Sequence, residues 1–196
     1  MSLWYTWVQG ALAMSEALLR TTLTYKEYCL IPDDGKRHEL LEGQHYVTPA
    51  PGTRHRRISK RLFTVLLHYF EEGGRGQVFY APTDVILTDR DVVQPDLVVV
   101  TTPAQISERG IEGPPTLLIE ILSPSSADYD RTVKAQHYAA LGVPHYWIVD
   151  PETRTVECYR LVGDHFVLRA SGRDQESLTL PDFPDLAIPL GTLWPS

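Results

Sequence analysis

Apolar residues along this chain follow two periods. From His55 to Phe70 they recur at Ile58, Leu62, Val65, Leu66 and Tyr69, three or four apart, which sets them on one stripe of a helix facing a core. Elsewhere they form short runs bounded by Gly, Pro and Asp: Gln77 to Tyr80, Asp84 to Leu87, Val92 to Thr101, Thr116 to Ser123 and His145 to Val149, each of strand length. Leu23 to Tyr28 reads as a short capped helix ending before Pro32. His38 to Leu41 and Gln44 to Val47 flank Glu42-Gly43 as a hairpin with a tight turn. Asp130 to Leu141 is a second long helix, closed by Gly142 with Pro144 just beyond. A hairpin from Thr155 to Leu168 and a Pro-rich tail follow. With no internal repeat or linker in the pattern, the prediction is an α/β (α+β) fold: a single mixed sheet with a few helices against it.

Two of the strand runs contain a residue that does not suit them. Glu120 sits in Leu117-Leu118-Ile119-Glu120-Ile121-Leu122, and Asp96 in Val92-Val93-Gln94-Pro95-Asp96-Leu97-Val98-Val99. Burying an unpaired carboxylate is costly, so each needs a cation or a proton beside it. Alternate strand residues share a face, which groups Gln94 with Asp96 and Val98, and Leu118 with Glu120 and Leu122. If the two acids meet, hard oxygen ligands favour Mg²⁺ or Mn²⁺, and the lack of a His or Cys ligand spacing argues against Zn²⁺.

Lys134 is the third anomaly. On its helix it shares a stripe with Tyr138 and Leu141, so a cation lies on a face otherwise suited to packing. Acids opposite would explain it; the alternative is an exposed salt bridge to Asp130, four residues earlier. His55 starts the apolar stripe of its own helix and can point inward from the first turn.

Composition narrows the classes. The chain of 196 residues has 43% hydrophobic and 22% charged residues, and no apolar stretch approaches the roughly 20 residues of a membrane span. Cys29 and Cys158 lack a Cys-x-x-Cys spacing, which points to the cytoplasm rather than to a disulfide framework. Residues 1–10 carry Trp4, Tyr5 and Trp7 but no basic residue, unlike a secretory signal, and Met14 offers a second start. The net charge of −7 supplies no global attraction to nucleic acid, so any such contact needs a local patch. Arg54, Arg56, Arg57, Lys60 and Arg61 form one, unless they are simply a solvated helix face. Gly73-Gly74-Arg75-Gly76 ends a helix and lacks the Gly-Lys-Ser/Thr close of a phosphate loop. The tyrosines and Trp147 fit core packing better than base stacking.

The order of a helix, strands carrying Pro95-Asp96 and then Glu120, and a following helix and strand resembles the PD-(D/E)XK nuclease superfamily. More closely, Glu39-Leu40-Leu41-Glu42-Gly43, His55-Arg56-Arg57-Ile58, Gln94-Pro95-Asp96, Ile119-Glu120-Ile121-Leu122-Ser123-Pro124-Ser125, Lys134 and the run from Gly142 to Pro151 are similar to the Uma-type "putative restriction endonuclease" family of bacteria such as cyanobacteria. The resemblance runs from about Thr22 to the C-terminus. It implies a restriction-endonuclease-like core, a central mixed β-sheet flanked by helices with an added N-terminal hairpin, as a single domain over residues 22–196. Residues 1–21 then form an extension, partly disordered.

By the same resemblance Asp96 and Glu120 bind a catalytic Mg²⁺, with Mn²⁺ as a substitute and the Ile121 backbone carbonyl as a further ligand, and the activity is endonucleolytic hydrolysis of DNA. The superfamily lysine normally stands two residues after the acid, where this chain has Leu122; Lys134, from the next helix, takes its place. His55 or Glu42 would tune the attacking water or hold a second ion, against the alternatives of a capping histidine and a turn carboxylate. Gln94 would support Asp96. The Arg54 to Arg61 patch and the Ser123 to Ser126 loop would meet phosphates. A homodimer is expected, because one small unit cuts one strand at a time. Two other readings stay open: a catalytically retired nuclease-fold module that binds nucleic acid or a protein, and two-carboxylate glycoside hydrolysis, which needs a sugar cleft lined by exposed aromatics.

Overall fold

The structure, a computed structural model, describes residues 22–124 and 126–195. The expected extension over residues 1–21, the alternative start at Met14 and Ser125 of the Ser123 to Ser126 loop lie outside the described residues. In chain order the elements are α1 (Tyr25–Tyr28), β1 (Arg37–Leu41), β2 (Gln44–Thr48), α2 (Thr53–Leu67, carried on by a wide turn His68–Glu72), β3 (Gln77–Tyr80), β4 (Val85–Thr88), β5 (Asp91–Val93), β6 (Leu97–Val100), β7 (Ile106–Ser107), β8 (Gly110–Glu112) and β9 (Leu117–Ile121). Then come α3 (127–140), β10 (His145–Asp150), β11 (Thr155–Val162), β12 (His165–Arg173), β13 (Ser177–Leu180) and β14 (Phe183–Pro189).

The strands form two mixed six-stranded sheets and a small hairpin among the described residues, where one sheet was expected. The central sheet has the order β12-β11-β10-β9-β6-β3, with β9 and β10 parallel; the second has the order β2-β1-β5-β4-β8-β7. The run Val92 to Thr101 is not one strand but two. It breaks at Gln94-Pro95-Asp96, so β5 closes in the second sheet and β6 opens in the central one. Proline offers no N–H to a ladder, which makes Pro95 a natural place for the chain to leave one sheet for the other.

Alternation along the central strands assigns each face. Leu97, Val99, Leu117, Ile119, Ile121, Trp147 and Val149 pack on the stripe Ile58, Leu62 and Leu66 of α2 and on the β13–β14 hairpin. Val98, Val100, Leu118, Leu122, Tyr146 and Ile148 face the other way, onto Tyr138 of α3 and Val85, Val93 and Ile111 of the second sheet. Glu120 alternates with Leu118 and Leu122, so it points into this second layer.

The β1–β2 turn holds the hairpin that borders the layer. Both of its central residues have positive φ, Glu42 at 52° and Gly43 at 76°, the geometry of a tight hairpin turn. A Cβ on Gly43 would stand 2.7 Å from Thr22 Cβ and 3.0 Å from the Leu23 carbonyl oxygen. Gly43→Ala should therefore lose about 1–3 kcal/mol in urea unfolding, from strain and crowding together; a change below a few tenths would contradict this.

Candidate active site

Asp96 ends the Gln94-Pro95-Asp96 break, one residue before β6. Leu97 pairs with Ile119 and Val98 with Leu118, so continuing that register by one step sets Asp96 opposite Glu120. The two acids expected to be neighbours come from adjacent strands. Asp96 is buried, and donors converge on it: Arg37 Nη1 at 2.7 Å on Oδ1, the Ile121 backbone N–H at 2.8 Å on Oδ2, and His55 Nε2 at 3.0 Å from Oδ2. Burial works against its charge, but the His55 hydrogen bond and the Arg37 guanidinium prevail and hold its carboxyl below the usual range.

Glu120 meets α3. Its Oε1 accepts from Lys134 Nζ at 2.9 Å and from the Tyr138 hydroxyl at 3.1 Å. Lys134 and Tyr138 are four residues apart and share one helix face. The helix widens into a π-type turn over Asp130–Lys134, a distortion frequent at functional sites. Burial pushes the Glu120 carboxyl up to about 8; Lys134 pulls it down, while Asp130, Asp96 and Glu39 push further up.

Lys134 is 3% exposed and lies among three acids: 2.9 Å from Glu120 Oε1, 3.1 Å from Glu39 Oε2 and 3.7 Å from Asp130 Oδ1. Burial alone would favour its neutral form, but these carboxylates raise its pKa well above the ordinary value. The pairing with Asp130 exists, though buried rather than on an exposed helix face.

Glu39 and Arg37 are members of this cluster that sequence reasoning missed. Glu39 is 2% exposed, and besides Lys134 it accepts the Gln94 backbone N–H at 2.8 Å. The signal was present in the alternation of β1: Arg37, Glu39 and Leu41 share one face, and Leu41 belongs to the core on the α3 side. The two other nominated side chains lie elsewhere. Glu42 is exposed at the hairpin turn, 4.0 Å from His137, and does not line the cleft described below. Gln94, expected on the face of Asp96, turns its amide to Asp84 Oδ1 at 2.8 Å and to the Tyr28 hydroxyl at 3.2 Å, because the chain leaves its strand there. It serves the cluster only through its backbone.

Asp96, Glu120, Ile121, Lys134, His55, Glu39 and Arg37 all line one cleft of about 650 Å³. Four buried carboxylates, Glu39, Asp96, Glu120 and Asp130, face two fixed cations, Arg37 and Lys134. Among the described residues Glu120 accepts from Lys134 and Tyr138 through Oε1, and the residue lines the cleft. This acid surplus, made of hard oxygen donors, fits Mg²⁺ or Mn²⁺. Among the described residues, however, no group of three His, Cys, Asp or Glu side chains is arranged to hold a metal ion by itself. Of the basic patch, Arg54 pairs with Glu152 at 2.5 Å on the cleft rim, and Arg61 donates to the Leu193 carbonyl at 3.2 Å; Arg56, Arg57 and Lys60 are exposed on α2.

A family model described as "Uma2: Putative restriction endonuclease" matches residues 24–191. The chain belongs to the Uma2 family. Its fold is shared by the crystal structure of "a putative nuclease belonging to DUF820" from Anabaena variabilis, with a TM-score of 0.70 and 22% identity over 87% of this chain and 97% of that one. The "Uncharacterized protein slr1290" of Synechocystis sp. is 26% identical over 147 residues, 73% of this chain and 77% of that protein. In this Uma2 chain the restriction-endonuclease-like core expected from sequence is the central sheet with α2 and α3, and the N-terminal hairpin has grown into a sheet of its own.

Proposed function

We propose that this chain is a metal-dependent endonuclease that hydrolyses phosphodiester bonds in DNA. Asp96, Glu120 and the Ile121 carbonyl would hold Mg²⁺ or Mn²⁺, and Lys134 would face the reacting phosphate. The observation that supports this best is the 2.9 Å contact between Lys134 and Glu120. The ammonium that Leu122 cannot supply comes from the next helix.

Bound there, the cation would supply Lewis acidity toward a phosphate oxygen and an attacking water. The protein's own groups do the rest. Arg37, His55 and the Ile121 N–H keep Asp96 ionised and fix its direction. Glu39 and Asp130 hold the Lys134 ammonium in place, where it can stabilise charge growing on the phosphate. Arg56, Arg57 and Lys60 would contact the backbone of the incoming strand. Symmetric pairing is the commonest assembly, so the reading includes a homodimer. A cytoplasmic setting agrees with free Cys29 and Cys158; no helix among the described residues is long and apolar enough to cross a membrane.

One observation favours the second reading, a retired nuclease fold that binds without cutting: Lys134 is tied to three carboxylates at once. Plasmid nicking separates the two. The endonuclease nicks with Mg²⁺ or Mn²⁺ and not with EDTA, and His55→Ala slows it about 10- to 100-fold by releasing Asp96, the usual size of an outer-shell effect. Absence of metal-dependent nicking, or an unchanged rate in Asp96→Ala, would overturn the proposal.

A further inference from the structure

Tyr46 was expected in the core with the other tyrosines, but it lies 37% exposed on β2, the outer strand of the second sheet. It lines the same cleft as Asp96 and Glu120. Its ring packs against Tyr129 of α3, with centroids 5.3 Å apart and planes tilted by 42°. The neighbouring Val47 is 47% exposed, and from Tyr46 through Pro51 the cleft wall carries no charged side chain. The cleft thus has an acidic floor, an arginine at its rim and one aromatic, apolar wall.

Such a wall does not suit intact duplex DNA, which turns phosphates outward and keeps its base faces stacked on one another. Aromatic faces pack on bases only where a strand is unpaired. A cleft of about 650 Å³ is in the range of small-ligand sites and adequate for a nucleotide or two of one strand.

We infer that Tyr46 and Tyr129 form a stacking platform for an unpaired nucleobase, and that the substrate class is single-stranded DNA or single-stranded stretches within a duplex. This rests on the nuclease reading above, from which it takes the identity of the polymer. Continuity with the acids gives the geometry. The base stacks on the aromatic wall, its sugar-phosphate descends toward Asp96 and Glu120, and the rest of the strand runs toward the exposed arginines of α2.

Binding can be read without turnover. In EDTA, fluorescence anisotropy of a labelled oligothymidylate and of its duplex with oligodeoxyadenylate should show tighter binding of the single strand by the full chain. Tyr46→Ala should weaken the single-strand complex by about 5- to 150-fold, the range that base–aromatic stacking supplies. Tyr46→Phe keeps the ring and should stay within about twofold of wild type. Because Tyr46 lies on an exposed strand, an unaltered thermal transition in both variants would confirm that folding is not the cause. Duplex preference, no single-strand binding, or equal binding by Tyr46→Ala would overturn the platform. Binding through Tyr46 without Mg²⁺- or Mn²⁺-dependent cleavage would instead remove the nuclease reading and leave the platform standing.

Discussion

Lys134→Met should lower the unfolding free energy by about 3–5 kcal/mol near pH 7 and abolish the proposed metal-dependent cleavage. Methionine keeps most of the length and the apolar stem but removes an ammonium that lies within 4 Å of three buried carboxylates. Glu39, Glu120 and Asp130 would then face one another without their shared counter-charge. A buried pair adds little over an apolar replacement of the whole pair, but removing one partner strands the other: Glu39 is left ionised without its cation, and Glu120 and Asp130 lose the charge that draws them down. The loss should depend on pH in a set direction. Wild-type Lys134 has a raised pKa, so its contribution is complete below the unfolded lysine value and is lost only in strong alkali. In the variant the three acids lose the cation that draws their pKa values down, so the added penalty should be absent below the ordinary carboxylate range and grow as pH rises above it. Urea unfolding at pH 5 and pH 7 should show the smaller deficit at pH 5. A loss under about 1 kcal/mol, the same at both values, would mean that the ammonium does not hold these acids.

The sequence showed the acids more clearly than their surroundings. Asp96 and Glu120 stand out because a charge inside an apolar run is an energetic contradiction visible at one position. Lys134 stands out because helical period carries it onto a buried face. The β6–β9 and β9–β10 neighbours, by contrast, come from long-range pairing, which strand-length patterns do not specify. Two errors share a cause. Val92 to Thr101 reads as one apolar run, although Pro95 breaks it between sheets, and face alternation then failed for Gln94. Glu42 enters only through the family resemblance, whereas Glu39, three residues earlier, is the carboxylate that reaches Lys134. Periodicity on β1 pointed to Glu39, but a single acid in a five-residue hairpin strand usually faces solvent, and only the second sheet's packing buries it.

The two sheets explain how Lys134 reaches Glu120. In the proposed site Leu122, a core residue, stands two positions after Glu120, so the ammonium comes from another element on the Glu120 side of the central sheet. α3 covers that side, and its π-type turn Asp130–Lys134 lies in the covering stretch. Glu39 from β1 completes the arrangement from across the layer. The buried charge set is therefore distributed over β1, β9 and α3, and its geometry depends on the packing of the second sheet.

Glu120→Gln should abolish the proposed cleavage and make the protein more stable, by roughly 1–3 kcal/mol at pH 8. The carboxyl is 2% exposed and titrates near 8, far above an exposed glutamate, chiefly because burial disfavours its charge. A raised folded-state value means that the unfolded chain ionises first. Below about pH 4.5 both states are protonated and the residue costs nothing; the penalty then grows with pH and levels off above about 8. Glutamine has the same shape and never ionises, so it escapes the penalty. It can still accept the Tyr138 hydroxyl, and Lys134 keeps Glu39 at 3.1 Å and Asp130 at 3.7 Å as counter-charges. The stabilisation should therefore be small at pH 5 and rise toward pH 8. Thermal or urea unfolding across that range measures it directly, and a destabilised variant, or a gain that does not change with pH, would show that Glu120 is held charged by its neighbours. The expected result places the proposed ligand among residues kept against stability, a cost that an acid surplus carries until a cation offsets it.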